Sequence, residues 1–596
     1  MDSLFKEKKN VDVLICGAGP VGLFLANELA EFEVNFRIIE KLEKHPKFSK
    51  ALLIAPRTME IFDNRQLIFI YPGLLDPFLE HGVKLKQSVM HYNVHDSSNP
   101  IRFDLSSLNS SFAYGLINRQ NKTEEYLIDA LHKKKSMGKK NVPNIEFGME
   151  LVRYKEEENK IIAVVKNTNN VEEEITCQYL VGCDGVHSTV RKGISGWTYE
   201  GQTLRSSWAL ADLEIDHELH KHDCATAFAF SGGILAIESL DVGKNTVRII
   251  FKISEEESKH ETNDDDFTKN ETHITLEELQ KLIDERIAPI KLELKNPVWI
   301  SNFRISERIV NRYRMGRAFV AGGMNLGIQD AHNLAFKLAL AISCQAADVD
   351  KLIDSYEQER YPVGKKVVSG TGFFRKVWSD DNFISKFLRT SVAPFMFHFF
   401  PQTSSKIITN LFQSDFNYLP ETSGIFHKYK PRLSAENKLI KAGHYALDGL
   451  LKKITNNKSH ERITMFDIFR STALKHTLIL FTQTNGVTVD CNPLIRTLLE
   501  IYSDYKSTIT PIIISYHGAV QSADIPFMPF LEEGREQHIF AECKLELHEK
   551  YGITKEVGQQ AFVLVRPDLY VASAVFGDDV DELKAFLERY LIKANG

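Results

Sequence analysis

The chain has 596 residues, of which 43% are hydrophobic and 26% are charged, and its formal net charge is −6. This length is too great for one hydrophobic core and predicts two or three domains. The mild acidity gives no electrostatic reason to expect binding to nucleic acid or to an anionic membrane surface, since either would call for a basic face.

The sequence offers no targeting, membrane or metal-binding signal. Residues 1–10 are charged and lack the apolar stretch of a signal peptide and the Arg-rich pattern of a transit peptide. The most apolar later segment, 392–400, is short and flanked or broken by Pro394 and Pro401, so we expect a buried or dimer-facing segment rather than a membrane anchor. Seven scattered cysteines without a CxxC pair predict neither a disulfide framework nor a zinc site. We therefore expect a cytoplasmic protein.

The first forty residues contain the strand, glycine loop, helix and second strand of a dinucleotide-binding unit. An apolar strand at 11–16 precedes a helical stretch at 23–29, and a second strand at 35–39 ends in Glu40. Between the first strand and the helix lie Gly17, Ala18, Gly19, Pro20, Val21 and Gly22. Gly17 allows the tight turn, Gly19 lets the backbone approach a diphosphate, and Gly22 lets the helix pack closely on the strand. Glu40 has the spacing of a carboxylate that binds a ribose hydroxyl, the alternative being a solvated charge at a strand end.

Two further segments have the order strand, turn and helix. Residues 179–191 read YLVGCDGVHSTVR, in which an apolar strand runs into Asp184 and Gly185. Residues 316–340 read GRAFVAGGMNLGIQDAHNLAFKLAL, in which a strand at 318–321 leads through glycines into a helix with an apolar stripe. Each segment alone is typical of any α/β protein.

Taken together, the glycine loop, the CDG segment and the GIQDAHNLAFKLA helix resemble those of the para-hydroxybenzoate hydroxylase-type (group A) FAD-dependent aromatic monooxygenases. The similarity is greatest to the long phenol 2-monooxygenase-like branch, and the segments LINRQNKTEEYL at 116–127 and YEQERYP at 356–362 add to it. Besides the glycine loop and Glu40, the resemblance implies cofactor contacts by Lys41, Lys50, Gln120, Asp184, Gly185, Met324 and Asn325.

The resemblance implies an α/β fold with an α+β insert. A Rossmann-like FAD-binding domain is expected at 1–195 and 301–375, an inserted substrate-binding β-sheet at 196–300, a helical connector at 376–442 and a C-terminal thioredoxin-like α/β domain at 443–596. In the insert, 226–237 and 246–253 are predicted strands and 255–272 is a predicted solvated loop. In the C-terminal domain, Cys491 and Cys543 are isolated thiols, which predicts a structural or dimer-forming role rather than a redox one.

The chemistry implied is that of an FAD-dependent monooxygenase. NAD(P)H serves as a transient co-substrate that reduces the flavin, and O2 forms a flavin C4a-hydroperoxide that hydroxylates a small aromatic or phenolic compound. The expected partners are therefore this substrate, O2 and a second copy of the chain in a homodimer, without nucleic acid, membrane or metal.

One segment departs from the family pattern. Family members carry, after the strand matching 318–322, an Asp that holds the flavin ribityl chain and a loop that follows the flavin ring. Here the chain passes from Gly323 directly to Met324 and Asn325. Two explanations stay open: either the sequence lacks a short coding piece, or this is a relative with impaired catalysis that binds flavin weakly or binds only a partner protein. An uncoupled NAD(P)H oxidase is a further alternative.

Two more positions bear on the substrate. Leu52 stands where phenol hydroxylases carry an acidic residue near the substrate hydroxyl, so the sequence identifies no catalytic base and simple phenol is not the expected substrate. Arg57 matches the family's Arg in the PRTME segment. It is a candidate substrate contact, and pairing with Glu60 on the same helix is the alternative role.

Overall fold

The structure is a computed structural model. It describes residues 10–47, 51–65, 73–92, 100–108, 110–216, 223–230, 233–253, 274–379, 382–399, 409, 416–430, 439–453, 462–484, 492–517, 538–542, 546–553 and 560–594.

Helices and strands alternate along the described parts of the chain. The strands are β1 (Asn10–Cys16), β2 (Phe36–Glu40), β3 (Leu53–Ile54), β4 (Val83–Leu85), β5 (Gln87–His91), β6 (Ile101–Asp104), β7 (Gly115–Ile117), β8 (Ile145–Phe147), β9 (Met149–Glu157), β10 (Lys160–Asn167), β11 (Glu172–Gly182), β12 (Tyr199–Asp216), β13 (Cys224–Phe230), β14 (Gly233–Ser239), β15 (Thr246–Ile253), β16 (Glu293–Val310), β17 (Arg314–Met315), β18 (Ala318–Val320), β19 (Leu450–Lys453), β20 (Arg462–Thr464), β21 (His476–Thr484), β22 (Ile509–His517), β23 (Ile539–Glu542), β24 (Ala561–Val565) and β25 (Val571–Phe576). The α-helices are α1 (Pro20–Glu31), α2 (Pro56–Asn64), α3 (Asp76–His81), α4 (Gln120–Ser136), α5 (Thr189–Lys192), α6 (Leu276–Ile287), α7 (Met324–Ile342), α8 (Val349–Ser379), α9 (Phe383–Phe387), α10 (Ala393–Phe399), α11 (Met465–Ser471), α12 (Asn492–Tyr505), α13 (Glu546–Lys550) and α14 (Val580–Tyr590).

The first sheet carries the predicted nucleotide-binding unit. Its strands β18, β11, β1, β2 and β8 are parallel neighbours in that order, while β17, β10 and β9 add antiparallel pairs. The central strand β1 is almost wholly buried, because α1, α4 and α7 pack on one face of it and side chains of β9 and β10 pack on the other. The carboxyl ends of β1, β2, β11 and β18 therefore meet at one edge, where ligands of open α/β sheets bind.

The second sheet is the predicted insert, but it is larger than 196–300. Its strand order is β16-β12-β15-β14-β13-β5-β6, so β5 and β6 come from the first part of the chain and β16 runs to Val310. The predicted strand at 226–237 is in fact the hairpin of β13 and β14. One face of the sheet packs on α6, and the other meets Leu52 and Trp378 through the small side chains of β13.

The third sheet forms the C-terminal α/β domain. Its order is β20-β19-β23-β22-β21-β24-β25, with β21, β22 and β23 parallel and the other pairs antiparallel. Its hydrophobic core is continuous with that of the first sheet, since Leu478 and Ile495 belong to the same packed cluster as Phe24 of α1 and Leu334 of α7. The C-terminal domain is thus packed onto the FAD-binding part through shared apolar surface.

Buried ion pairs cross the same boundary. The guanidinium of Arg566 donates to both carboxylate oxygens of Glu359 on α8 at 2.8 and 2.9 Å, and Lys337 of α7 donates to Glu359 at 2.9 Å. All three side chains are buried. Although burial penalises the charged form, Arg566 and Lys337 hold the pKa of the Glu359 carboxyl far below its ordinary value.

Candidate functional site

A cavity of about 600 Å³ opens at the edge where the carboxyl ends of β1, β2, β11 and β18 meet. Many of the residues predicted from the sequence line it: Gly17, Gly19, Pro20, Val21, Glu40, Lys41, Gln120, Asp184, Gly185 and Met324. These residues come from distant parts of the chain, so the fold assembles one site from motifs that are far apart in sequence.

The glycine loop has the shape that its sequence predicts. Gly17 has a φ of +99°, and a Cβ there would collide with the backbone of Cys183. A Cβ on Gly22 would collide with the carbonyl oxygen of Gly17, so helix α1 could not pack this close to the turn. A Cβ on Gly19 would instead meet nothing within 4 Å, which leaves the loop backbone open to the cavity.

Two helices begin at the cavity without a side-chain cap. Gly19 precedes α1, whose first residue is Pro20. Gly323 has a φ of +72° and precedes α7, whose first residue is Met324. Neither glycine offers a side chain to the first-turn N–H groups. Both N-terminal dipole ends therefore face the same space, which favours anionic or electron-rich groups there.

Glu40 links the end of β2 to the glycine loop. Its Oε2 accepts a hydrogen bond from the Ala18 N–H at 2.8 Å, and its Oε1 accepts one from the Leu42 N–H at 3.0 Å. Each carboxylate oxygen can accept a second bond, and the residue lines the cavity. Ala18 contributes its backbone N–H to this contact, and neither it nor Gly22 is among the residues that line the cavity.

Asp184 has one engaged and one unengaged oxygen. Oδ2 accepts hydrogen bonds from the N–H groups of Thr189 at 2.7 Å and Val190 at 3.2 Å. Oδ1 is buried and has no hydrogen-bond partner within the described parts of the chain. Burial raises the pKa of the Asp184 carboxyl above its ordinary value. Asp184 itself is one of the residues that line the cavity.

The side chain of Asn325 makes contacts within the protein, while the predicted cofactor contact of this residue stays a prediction. Its side chain does not line the cavity and instead joins α7 to the start of α2. Oδ1 accepts from the Ala55 N–H and the Thr58 hydroxyl, both at 2.9 Å, and Nδ2 donates to the Leu53 carbonyl at 2.8 Å. The residue thus holds the β3–α2 segment in position.

No prediction from the sequence covered several further side chains at the cavity, among them Glu124 and His45. Glu124, one turn after Gln120 on α4, accepts a hydrogen bond from the Gln120 amide at 2.8 Å and lies 3.0 Å from Nδ1 of His45. The i, i+4 spacing of Gln120 and Glu124 is a signal that the sequence contained. His45 lies in an irregular segment after β2, and no local pattern indicated it.

Arg57 lies outside the cavity lining, and its contacts are those of the alternative role. It is buried, pairs with Glu60 on α2 and lies 3.2 Å from the ring centroid of Tyr445 in the C-terminal domain. Its guanidinium is therefore already engaged by an anion and an aromatic face. The predicted contact between Arg57 and a substrate stays a prediction. The pairing with Glu60 and Tyr445 does not favour it.

Several sequence predictions fall on residues outside the described ranges. These are the cofactor contact of Lys50, the solvated loop at 255–272 and the isolated thiols of Cys491 and Cys543.

Comparison with known proteins identifies the family. The family described as FAD binding domain matches residues 10–371, and the one described as phenol hydroxylase, C-terminal dimerisation domain, matches residues 490–595. The chain belongs to the group A FAD-dependent aromatic monooxygenases. As a member of this family, it is an oxidoreductase whose cofactor is FAD.

Relatives of this monooxygenase differ in how much of it they match. It is 24% identical to pentachlorophenol 4-monooxygenase of Sphingobium chlorophenolicum over 98% of this chain and 97% of that protein. It is 30% identical to 6-methylpretetramide 4-monooxygenase of Streptomyces rimosus over 61% of this chain, but spans only 62% of that protein. The solved structure of the flavin-dependent monooxygenase PieE, in complex with FAD and substrate, shares the fold with a TM-score of 0.69, 17% identity and coverage of 97% and 99%.

Within the described residues, no helix of this monooxygenase is both long and apolar enough to pass through a lipid bilayer.

Proposed function

We propose that this monooxygenase uses NAD(P)H and O2 to hydroxylate an apolar aromatic compound of the polycyclic phenol class, acting as a homodimer. We further propose that FAD lies in the cavity at the edge of the first sheet. The residues assigned to it are Gly17, Ala18, Gly19, Pro20, Val21, Gly22, Glu40, Lys41, Lys50, Gln120, Asp184, Gly185, Met324 and Asn325.

The observation that carries this proposal is that two uncapped helix N-termini and the carboxylate-bearing residues Glu40 and Asp184 line one cavity. A dinucleotide has a diphosphate for the start of α1, hydroxyl groups for Glu40 and Asp184, and an electron-rich ring edge for the start of α7. The residues present therefore fit FAD. Bound there, FAD supplies the redox chemistry that activates oxygen for transfer to an aromatic ring.

The protein residues around the cavity position and shield the cofactor. Glu40 is braced by the Ala18 and Leu42 N–H groups, so its carboxylate is fixed before a ribose arrives. Gln120 is oriented by Glu124, and Asn325 fixes the β3–α2 segment beside the start of α7. These contacts reduce the side-chain freedom that cofactor binding would otherwise have to restrict.

The apolar face of the second sheet supports the substrate class. Leu52 packs in one buried cluster with Ala225, Ala227 and Ala229 of β13 and with Trp378 of α8. Leu52 brings an aliphatic side chain where a small phenolate would need a polar partner, and the alanines present small side chains. A substrate of low polarity therefore fits a site that lacks an acidic partner at this position better than simple phenol does.

One observation favours a second candidate, a relative with impaired catalysis. Only Ala321, Gly322 and Gly323 separate β18 from α7, so the described chain has no loop at this point to cover a flavin ring. A flavin left open to water at this point would release peroxide rather than transfer oxygen to a substrate. The protein would then retain flavin weakly, or it would act as an uncoupled NAD(P)H oxidase.

The visible spectrum of the purified full-length protein separates these candidates. A yellow protein whose NAD(P)H oxidation is stimulated by a polycyclic phenol, with hydroxylated product detected by mass spectrometry, supports the proposal. A colourless protein that gains no flavin spectrum on incubation with FAD would point to impaired binding. A yellow protein that forms hydrogen peroxide and no hydroxylated product would point to an oxidase.

A further inference from the structure

A group of exposed apolar side chains lies on the helical segments between the two family matches. It comprises Phe373 on α8, Phe383, Ile384 and Phe387 on α9, and Phe395 and Phe399 on α10, and we name it the phenylalanine surface. The exposed fraction of these residues lies between 53% for Phe387 and 84% for Phe383. Single exposed apolar residues are normal in proteins, but six of them on three consecutive helices, with the Phe395 and Phe399 rings 4.8 Å apart, indicate an interaction surface.

Local contacts explain why these side chains point outward. The side chain of Asn382 accepts a hydrogen bond from the Ser385 N–H at 2.8 Å, so α9 begins at Phe383. Ser385 is buried, which leaves Phe383 and Ile384 in the first turn on the outer side. Arg389 donates to the Trp378 carbonyl at 2.9 Å and ties the segment after α9 to the end of α8.

The inner side of the same helices is anchored in the protein. Trp378 of α8 is 3% exposed and belongs to the buried cluster of the second sheet, where Val377 and Ala393 also pack. The helices are therefore held by apolar contacts on one side while they present apolar side chains on the other. The phenylalanine surface is thus exposed on helices whose opposite side is packed against the protein.

The charge of this segment differs in sign from that of the whole chain. Residues 365–399 contain six lysines and arginines and two aspartates, whereas the complete chain has a net charge of −6. Arg375 is paired with Glu307 and Arg389 is buried, so the surface charge of the segment comes from its lysines. Lys365, Lys366 and Lys376 are exposed on α8, on the same helix as Phe373. Protruding aromatic side chains flanked by lysines are typical of segments that lie in the interface of an anionic bilayer.

We propose that the phenylalanine surface binds the surface of an anionic lipid membrane without crossing it. A self-complementary contact with a second copy would bring the lysines of one surface against those of the other, which is unfavourable. The family match for dimerisation also lies elsewhere, at residues 490–595. A lipid interface, by contrast, accepts separated aromatic side chains without requiring a complementary shape. The net charge of −6 for the whole chain gave no indication of this local excess of basic residues.

The test is cosedimentation of the full-length protein with vesicles of phosphatidylcholine mixed with phosphatidylserine, compared with vesicles of phosphatidylcholine alone. We expect binding to the mixed vesicles that weakens as salt is added, because the lysine contribution is screened. The triple variant Phe383→Ser, Ile384→Ser, Phe387→Ser should bind at least about tenfold less, since it removes the inserted apolar groups. Replacing Lys365, Lys366 and Lys376 with glutamine should lower binding to the mixed vesicles but not to vesicles of phosphatidylcholine alone.

The matched control is the variant Val242→Ser, Leu450→Ser, which removes side chains of similar exposure (62% and 59%) elsewhere on the protein. It should bind vesicles like the unmodified protein, and the thermal unfolding of all variants should be compared. Absence of binding by the unmodified protein, or equal binding by the triple variant, would overturn the proposal. So would a larger oligomer in light scattering that the triple variant loses, since a second copy would then occupy the surface.

Discussion

Replacing Glu40 with alanine is expected to weaken FAD binding without unfolding the protein. The carboxylate lies at the cavity, accepts the Ala18 and Leu42 N–H groups at 2.8 and 3.0 Å and retains further acceptor positions for ribose hydroxyls. Loss of a hydrogen bond to a charged acceptor costs about 1.5–3 kcal/mol. At about 1.4 kcal/mol for each factor of ten, the dissociation constant of FAD should rise about 10- to 150-fold.

The assay is a titration of apoprotein with FAD, followed by the quenching of flavin fluorescence. Glu40→Gln keeps a carbonyl oxygen for the Ala18 N–H but removes the charge, so its loss should be intermediate. Glu150→Ala is the matched control, because it removes a carboxylate that lines the same cavity and pairs with Lys166 at 3.5 Å. An unchanged dissociation constant in Glu40→Ala, or an equal rise in Glu150→Ala, would refute the assignment of Glu40 to the ribose.

Three further outcomes are expected. Arg566→Met should lower the free energy of unfolding in urea by about 3–5 kcal/mol, because Glu359 loses a fully buried partner; a negligible change would show that the pair is not needed for stability. Burial raises the pKa of Asp330 to about 6 from its ordinary 3.8. The stability contributed by the protonated Asp330 side chain is therefore fully present below pH 3.8 and is lost as the pH rises through about 6. Asp330→Asn should flatten the fall of the unfolding free energy across that window, even though Arg360 donates to Oδ1 of Asp330 at 2.6 Å and opposes the shift, and an unaltered profile would argue against this titration. Inserting a family-like Asp-Ala-Ala-His…Gly-Gly-Gln-Gly segment between Gly322 and Met324 should raise flavin occupancy and the ratio of hydroxylated product to NAD(P)H consumed; a variant that gains neither would show that the short connection is not what limits the enzyme.

The sequence alone determined the nucleotide-binding unit and the α/β class. The strand, glycine loop, helix and Glu40 lie within about thirty contiguous residues, so their structure follows from local periodicity and from steric demands such as those at Gly17 and Gly22. The helix at 324–342 was equally evident, because its apolar stripe is read along one segment.

Only the tertiary structure decided which distant groups meet. It brought β5 and β6 into the second sheet, placed Arg57 against Tyr445 of the C-terminal domain, and turned the Asn325 side chain toward α2. It also exposed the phenylalanine surface, which argues against burial of the apolar segment at 392–400 and leaves its predicted dimer contact untested. Periodicity reports which residues share a face of one element, but not which element covers that face. That choice depends on packing between segments that are hundreds of residues apart in the chain.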